Sequence, residues 1–209
     1  MKMPRLFAVT LTAVMAIAIS LNAQQKPTAS PSQPDTSVWT IDTAHSAAHF
    51  GVRHMLVSTV RGTLGPVTGK VWYDGKNLSS IKADVAIDVK GLSTGVAQRD
   101  GHLRTPDFFA AAQFPTITFK SKRVVPGAGG AFKLIGDLTI RDVTKEVTLD
   151  VDALPPTVTT QGMQRTATSA TTTINRFDYG LKWNNLIEAG GAIAGPDVKI
   201  QIDLEVVRK

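Results

Sequence analysis

The sequence predicts an all-β protein of eight antiparallel strands with one or two short helices. Two observations lead to this class. From Val38 onward, apolar and polar residues alternate in successive runs, which is typical of strands with one buried face. The runs are joined mostly by short, turn-like connections, which favour antiparallel neighbours because parallel strands need long crossovers. Eight strands with one apolar face each are expected to close into a barrel or to pair into a sandwich.

The N-terminus is the part of the chain that least resembles a folded domain. Lys2 and Arg5 precede an apolar run that ends near the small residue Ala23, which predicts a signal peptide over residues 1–23. The run is shorter than the roughly 20 residues that a membrane-spanning helix needs. Residues 24–37 are rich in Pro and Ser and predict a flexible linker, which leaves one domain over 38–209.

Charge and cysteine content narrow the function classes. The net charge of +6 includes Lys2 and Arg5, and the basic residues are dispersed rather than interleaved with aromatics. Nucleic-acid binding is therefore not expected, while a transient contact with a membrane surface stays open. The chain has no cysteine, so disulfides, thiolate ligands and a lipoprotein anchor are all excluded.

The apolar alternation predicts where each strand lies, and two longer segments separate some of the strands. The last strand is the clearest, because Val198, Ile200, Ile202 and Leu204 share one face. One or two short helices are expected within 95–112, with a helix start at Thr105, while 177–196 is expected to be a Gly-rich loop. Barrel mouths with such segments are favoured ligand sites. The predicted strands are 39–52, 59–73, 79–90, 116–125, 131–141, 143–153, 164–176 and 197–207.

The stretch HSAAHFGVRH contains three of the four histidines and raises the question of a metal site. In a regular strand over 39–52, His45 and His49 share a face, but their Cα atoms lie roughly 13 Å apart. One zinc ion binds its imidazoles at about 2 Å, so this separation is too great. His54 belongs to the opposite face. We therefore expect no metal site and no cofactor.

A second cluster of ionisable residues comprises Arg99, Asp100, His102 and Arg104. In an enzyme, His102 would be a general base oriented by Asp100, but no nucleophile is evident. In a binding protein, Arg99, Arg104 and His102 would contact an anionic or hydroxylated head group. In a purely structural role, Arg99 and Asp100 would fix the helix over the barrel end. These alternatives stay open, as does the choice between packing and an apolar entrance for the neighbouring Phe108, Phe109 and Phe114.

The ordered motifs of the domain resemble the YceI-like family of periplasmic, lipocalin-like proteins. They are WTIDTAHSAAHFGVRH, VRGTLGPVTGKV, LSTGVAQRDGHLRTPDFF, FPTITFKS, GDLTIRDVTKEVTLDV and INRFDYGL. The resemblance implies an extended eight-stranded barrel around a long apolar channel that holds an isoprenoid or other long-chain amphiphile. It also implies a periplasmic location. By position, the residues implied to line the channel are Phe50, Val52, Val85, Phe108, Phe109, Phe114, Leu138, Ile140 and Ile174, and those implied at its polar end are His54, Arg99, Asp100 and His102.

The function expected from the sequence is that of a non-enzymatic periplasmic carrier for a polyprenyl phosphate, a quinone or a related lipid. Three rivals are a hydrolase of a lipid or phosphate ester that uses His102 and Asp100, a metal-binding stress protein that uses the histidines, and a scaffold module with a filled barrel. The sequence leaves a homodimer open.

Overall fold

Eleven strands and one α-helix are the main elements of the part of the domain that the structure describes. The computed structural model describes residues 38–184 and 193–209, so the predicted signal peptide and linker lie outside the described residues. The elements are β1 Val38–Ile41, β2 Ala47–His54, β3 Ser58–Leu64, β4 Val67–Trp72, β5 Lys82–Asp88, α1 Ala97–Leu103, β6 Thr116–Pro126, β7 Phe132–Ile140, β8 Val143–Val151, β9 Val158–Thr160, β10 Met163–Asn175 and β11 Ala194–Arg208.

The sheet closes on itself because β11 pairs on both of its edges. On one edge it pairs with β10, from Gln164–Arg208 to Asn175–Asp197. On the other edge it pairs with β1 and then with β2, which together act as one interrupted strand. The segments β3 and β4 form a second interrupted strand, and the remaining strands follow in chain order. The prediction of an eight-stranded antiparallel barrel with a short helix is therefore confirmed, with β9 as a small addition to β10.

The predicted continuous strand over 39–52 is wrong at residues 42–46, where the chain turns. The Asp42 carboxylate accepts a hydrogen bond from the backbone N–H of Ala44 (3.1 Å) and contacts the His45 ring (3.1 Å). Such local bonds give the backbone an alternative to the sheet ladder. As a result, the inward positions change from odd numbers, at Trp39, to even numbers, at Ala48.

The helix lies inside the predicted segment, but it begins at Ala97 and not at Thr105. The Thr105 hydroxyl donates to the carbonyl of His102 (2.7 Å), so this residue follows the end of a helix instead of starting one. Turns continue from there, and Ala110 adopts a positive φ of 47°. Among the described residues, no helix is long and apolar enough to cross a membrane.

The meander places the longer connections at one end of the barrel, which we call the mouth. The mouth consists of the β2–β3 hairpin, residues 89–115, the β7–β8 turn and residues 176–184. The opposite end, which we call the far end, is closed by Trp39, Phe132 and Val206, each less than 10% exposed. There the Trp39 indole N–H donates to the carbonyl of Tyr73 (3.1 Å).

Candidate ligand cavity

An apolar cavity of about 350 Å³ lies inside the barrel. This volume falls in the range of roughly 300–1,000 Å³ that is usual for small-molecule sites. Side chains from all eight strands line it, including the small residues Ala48, Ala83 and Ala170. Several inward apolar residues of β11 stay half-buried although they point into the barrel, because they border unfilled space; they are Val198, Ile200, Ile202 and Leu204.

Three rings meet at the mouth of the cavity. The His102 ring contacts Phe108 and Trp183 edge-on, with centroids 5.2 and 5.1 Å apart, and Phe108 lies 5.1 Å from Trp183. His102 Nε2 is 2.8 Å from a carboxylate oxygen of Asp107, and its side chain is 41% exposed. His102 is therefore a rim residue with one side against aromatic rings and the other side towards solvent.

Asp100 and Arg99 are both bound to Thr94. The buried Asp100 carboxylate accepts from the Thr94 N–H (2.8 Å) and hydroxyl (2.5 Å). The hydroxyl bond in particular lowers the pKa of Asp100, against the effect of burial. Arg99 donates to the Thr94 hydroxyl (2.7 Å) and carbonyl (3.1 Å). Asp107, rather than Asp100, contacts His102, so the His102–Asp100 pair of the hydrolase hypothesis is wrong in its geometry.

Arg176 fixes the loop that carries Trp183, and the sequence reasoning missed it. Its buried guanidinium donates to the carbonyls of Gly195 (2.9 Å), Leu181 (2.5 Å), Trp183 (2.8 Å) and Ala194 (2.9 Å). Burial lowers the pKa of Arg176. The four bonds join the residues after β10 to the first residues of β11. Its only signal in the sequence was its place in INRFDYGL, at the end of the Thr-rich strand β10.

Arg141 connects two other parts of the mouth. It occupies the β7–β8 turn with a positive φ of 57°. Its guanidinium donates to the carbonyls of Phe108 (3.2 Å) and Gly180 (3.4 Å) and lies 5.7 Å from the centroid of the Phe114 ring. Phe108 and the loop after β10 are thus held to the same turn.

Tyr179 is the most buried polar ring at the mouth. It is 2% exposed, and its hydroxyl has no hydrogen-bond partner among the described residues. Burial raises the pKa of Tyr179 to about 12. The phenol is therefore held in its neutral form.

Most of the residues predicted to contact a ligand lie on the cavity wall. Those that line it are Phe50, Val52, Val85, Phe108, Phe109, Leu138, Ile140, Ile174, His54, Arg99 and His102. Phe114 and Asp100 lie outside this lining; Phe114 packs near Arg141, and Asp100 binds Thr94. The binding role of each of these residues stays a prediction.

The three clustered histidines do not meet. His54 lines the cavity, His49 faces outward with its ring 3.5 Å from Asp203, and His45 lies in the turn after β1. His45 instead comes together with Asp42 and Glu205, a group that the strand argument missed.

Arg165 forms ion pairs with both carboxylates of this group. Its guanidinium lies 2.8 Å from a carboxylate oxygen of Asp42 and 2.6 Å from one of Glu205. Hydrogen bonds from His45 and Arg165 lower the pKa of Asp42 to about 2. The guanidinium of Arg165 thus balances the negative charges of Asp42 and Glu205.

Comparison with known proteins agrees with this architecture. The family model for the YceI-like domain matches residues 39–206. The UPF0312 protein SA2479 of Staphylococcus aureus (strain N315) is 36% identical over 168 residues, which cover 80% of this chain and 95% of that protein.

Solved structures are similar in fold. Burkholderia cenocepacia BcnA superimposes with a TM-score of 0.66 at 21% identity, covering 81% of this chain and 99% of that one. The Campylobacter jejuni YCEI protein gives a TM-score of 0.64 at 26% identity, covering 75% and 90%. A polyisoprenoid binding domain from Saccharophagus degradans gives 0.59 at 18% identity, covering 80% and 97%. The match of the family model over nearly the whole domain, together with the relative at 36% identity, shows that this chain belongs to the YceI-like family.

Proposed function

We propose that this chain is a non-enzymatic carrier that holds the tail of a long-chain isoprenoid or related amphiphilic lipid inside the barrel. The observation that carries the proposal is the apolar cavity of about 350 Å³. A barrel that served only as a scaffold would fill this space with side chains, because protein interiors are close-packed. The similar fold of the polyisoprenoid binding domain from Saccharophagus degradans supports the choice of ligand class.

The energetics of tail burial favour binding. Each methylene removed from water contributes about 0.8 kcal/mol. Some ten methylenes would thus contribute roughly 8 kcal/mol before the costs of ordering the tail and of association are subtracted. Affinity would come from the walls of β5, β7 and β11, and it would tolerate variation in the tail because apolar contacts are not directional.

The polar end of the lipid is expected at the mouth. Arg99, His54 and His102 line the cavity there, and each carries N–H groups that can donate to phosphate or carbonyl oxygens. A polyprenyl phosphate or a quinone would place its oxygens against these donors. The predicted signal peptide supports a periplasmic location for the carrier.

Extraction of the protein tests this proposal. Protein recovered from the periplasm should yield an amphiphile in an organic extract analysed by mass spectrometry, and reconstitution with polyprenyl lipids or quinones should refill an emptied sample. Absence of any bound amphiphile after reconstitution would exclude the carrier function. The hydrolase rival makes a separate prediction, since His102→Ala would abolish turnover of a lipid ester that a carrier does not turn over at all.

A further inference from the structure

The tip of the β2–β3 hairpin exposes three consecutive apolar residues. Met55, Leu56 and Val57 are 38%, 70% and 83% exposed. The tip adjoins the cavity mouth, because the Met55 N–H donates to the carbonyl of Ile193 (3.0 Å). Ile193 and the neighbouring His54 both line the cavity. The exposed apolar surface is therefore located at the entrance.

The backbone of this tip is strained. Met55 and Leu56 have positive φ angles of 50° and 60°. Asn and Gly are the usual residues in successive left-handed positions of a hairpin, since larger side chains clash there. The turn is nevertheless well defined, because Val57 N–H donates to the His54 carbonyl (3.0 Å) and Arg53 donates to the Leu56 carbonyl (2.5 Å). A costly backbone that holds apolar side chains in water indicates a binding role.

Two arginines lie on the strands that carry the tip. Arg53 bonds to carbonyls of the tip itself, and Arg61 lies on the adjoining strand opposite Gly51. Neither arginine makes an ion pair with a carboxylate in the part of the chain that the structure describes. Apolar side chains on a hairpin whose positive charges are not neutralised by carboxylates complement a bilayer surface, which has anionic head groups above an apolar interior.

We propose that the Met55–Leu56–Val57 tip inserts into the surface of an anionic lipid bilayer and presents the mouth of the cavity to the membrane. An amphiphile could then pass between bilayer and barrel without exposing its tail to water. The role of this contact in lipid transfer rests on the proposed lipid-binding function. The contact itself can be measured independently of that function.

Sedimentation with lipid vesicles tests the proposal, using protein recovered from the periplasm of an expressing cell. Leu56→Ser/Val57→Ser should weaken binding to vesicles of phosphatidylcholine and phosphatidylglycerol at least roughly tenfold. Val158→Ser removes an equally apolar side chain that is 58% exposed on β9, away from the mouth, and should change nothing. Arg61→Gln should weaken binding about fivefold on these vesicles and not on phosphatidylcholine alone.

A second variant separates membrane contact from folding. Met55→Asn/Leu56→Gly relieves the left-handed strain and removes two of the three apolar side chains, so it should raise the melting temperature while weakening vesicle binding. Vesicle binding equal to the wild type in both variants would overturn the proposal. A concentration-dependent dimer that dissociates in the serine variant would also overturn it, and would assign the tip to a second copy of the chain.

The lipid content of the same samples distinguishes the two proposals. The tip variants should still take up lipid from detergent solution, because the cavity wall is unchanged. Vesicle binding without any extractable or reconstituted lipid would refute the carrier function and leave the membrane contact standing. Lipid uptake with no tip-dependent vesicle binding would refute the membrane contact and leave the carrier function standing.

Discussion

Filling the cavity with a side chain should abolish lipid binding without unfolding the barrel. Ile202 is the best position, because it lies on the cavity wall between Ala48 of β2 and Ala170 of β10. In Ile202→Trp, the larger side chain adds about six heavy atoms and should displace a similar number of tail methylenes. At about 0.8 kcal/mol per methylene this costs about 5 kcal/mol of binding free energy. Since about 1.4 kcal/mol is tenfold, affinity should fall by roughly three orders of magnitude.

The free energy of unfolding should respond differently. Overpacking a filled core costs about 1–3 kcal/mol, whereas a ring that enters vacant space should cost less than about 1 kcal/mol. The matched control is Lys199→Trp, which adds the same ring to the outer face of the same strand and should bind lipid normally. The assays are equilibrium binding of a fluorescent polyprenyl analogue and thermal unfolding by circular dichroism. Normal binding by Ile202→Trp, or a loss of more than about 3 kcal/mol of stability, would refute the reasoning.

Three further predictions concern the mouth and the channel wall. Arg176→Met leaves four carbonyls without a donor, and at about 1 kcal/mol or more each it should cost at least about 4 kcal/mol in urea unfolding; an unchanged midpoint would contradict this. The pKa of Tyr179 is raised from 10.0 to about 12, so the phenol ionises at lower pH in the unfolded chain than in the folded one. As pH rises from 10.0 to about 12, the free energy of unfolding should therefore fall by about 2–3 kcal/mol more than it does in Tyr179→Phe. Equal losses in both proteins would refute the burial argument. A Cβ at Gly62 would lie 2.5 Å from Cζ of Phe50 and 2.8 Å from the backbone carbonyl oxygen of Ser93. Gly62→Ala should therefore displace the Phe50 ring, weaken lipid binding and lower stability, and wild-type affinity and stability would argue against it.

The barrel could be predicted from the sequence because its strands follow the two-residue period closely. In β11, Val198 to Val206 alternate with polar residues, and the structure places the apolar members on the cavity wall. The break at residues 42–46 was not predicted, since it arises from a local bond of the Asp42 carboxylate that competes with strand pairing. The predicted helix start at Thr105 was wrong for a similar reason, because the Thr105 hydroxyl donates to the carbonyl of His102, three residues earlier in the chain.

The mouth was only partly predictable. His102 and Phe108 stood out by residue type, and the structure brings them together with Trp183. Arg176 gave little signal, because its partners are the backbone carbonyls of Leu181, Trp183, Ala194 and Gly195, and every residue type has such a carbonyl. The left-handed tip at Leu56 contradicts the preference of its residue type, so no propensity argument could have found it.

The measurement that tests the carrier function most directly is the intact mass of the protein under native and denaturing conditions. The cavity is predicted to hold one amphiphile, so the native mass should exceed the denatured mass by a single lipid. Ile202→Trp should lose this difference, and Lys199→Trp should keep it. Identical native and denatured masses for the wild-type protein, even after incubation with polyprenyl phosphates and quinones, would contradict the proposal that the barrel is a lipid carrier.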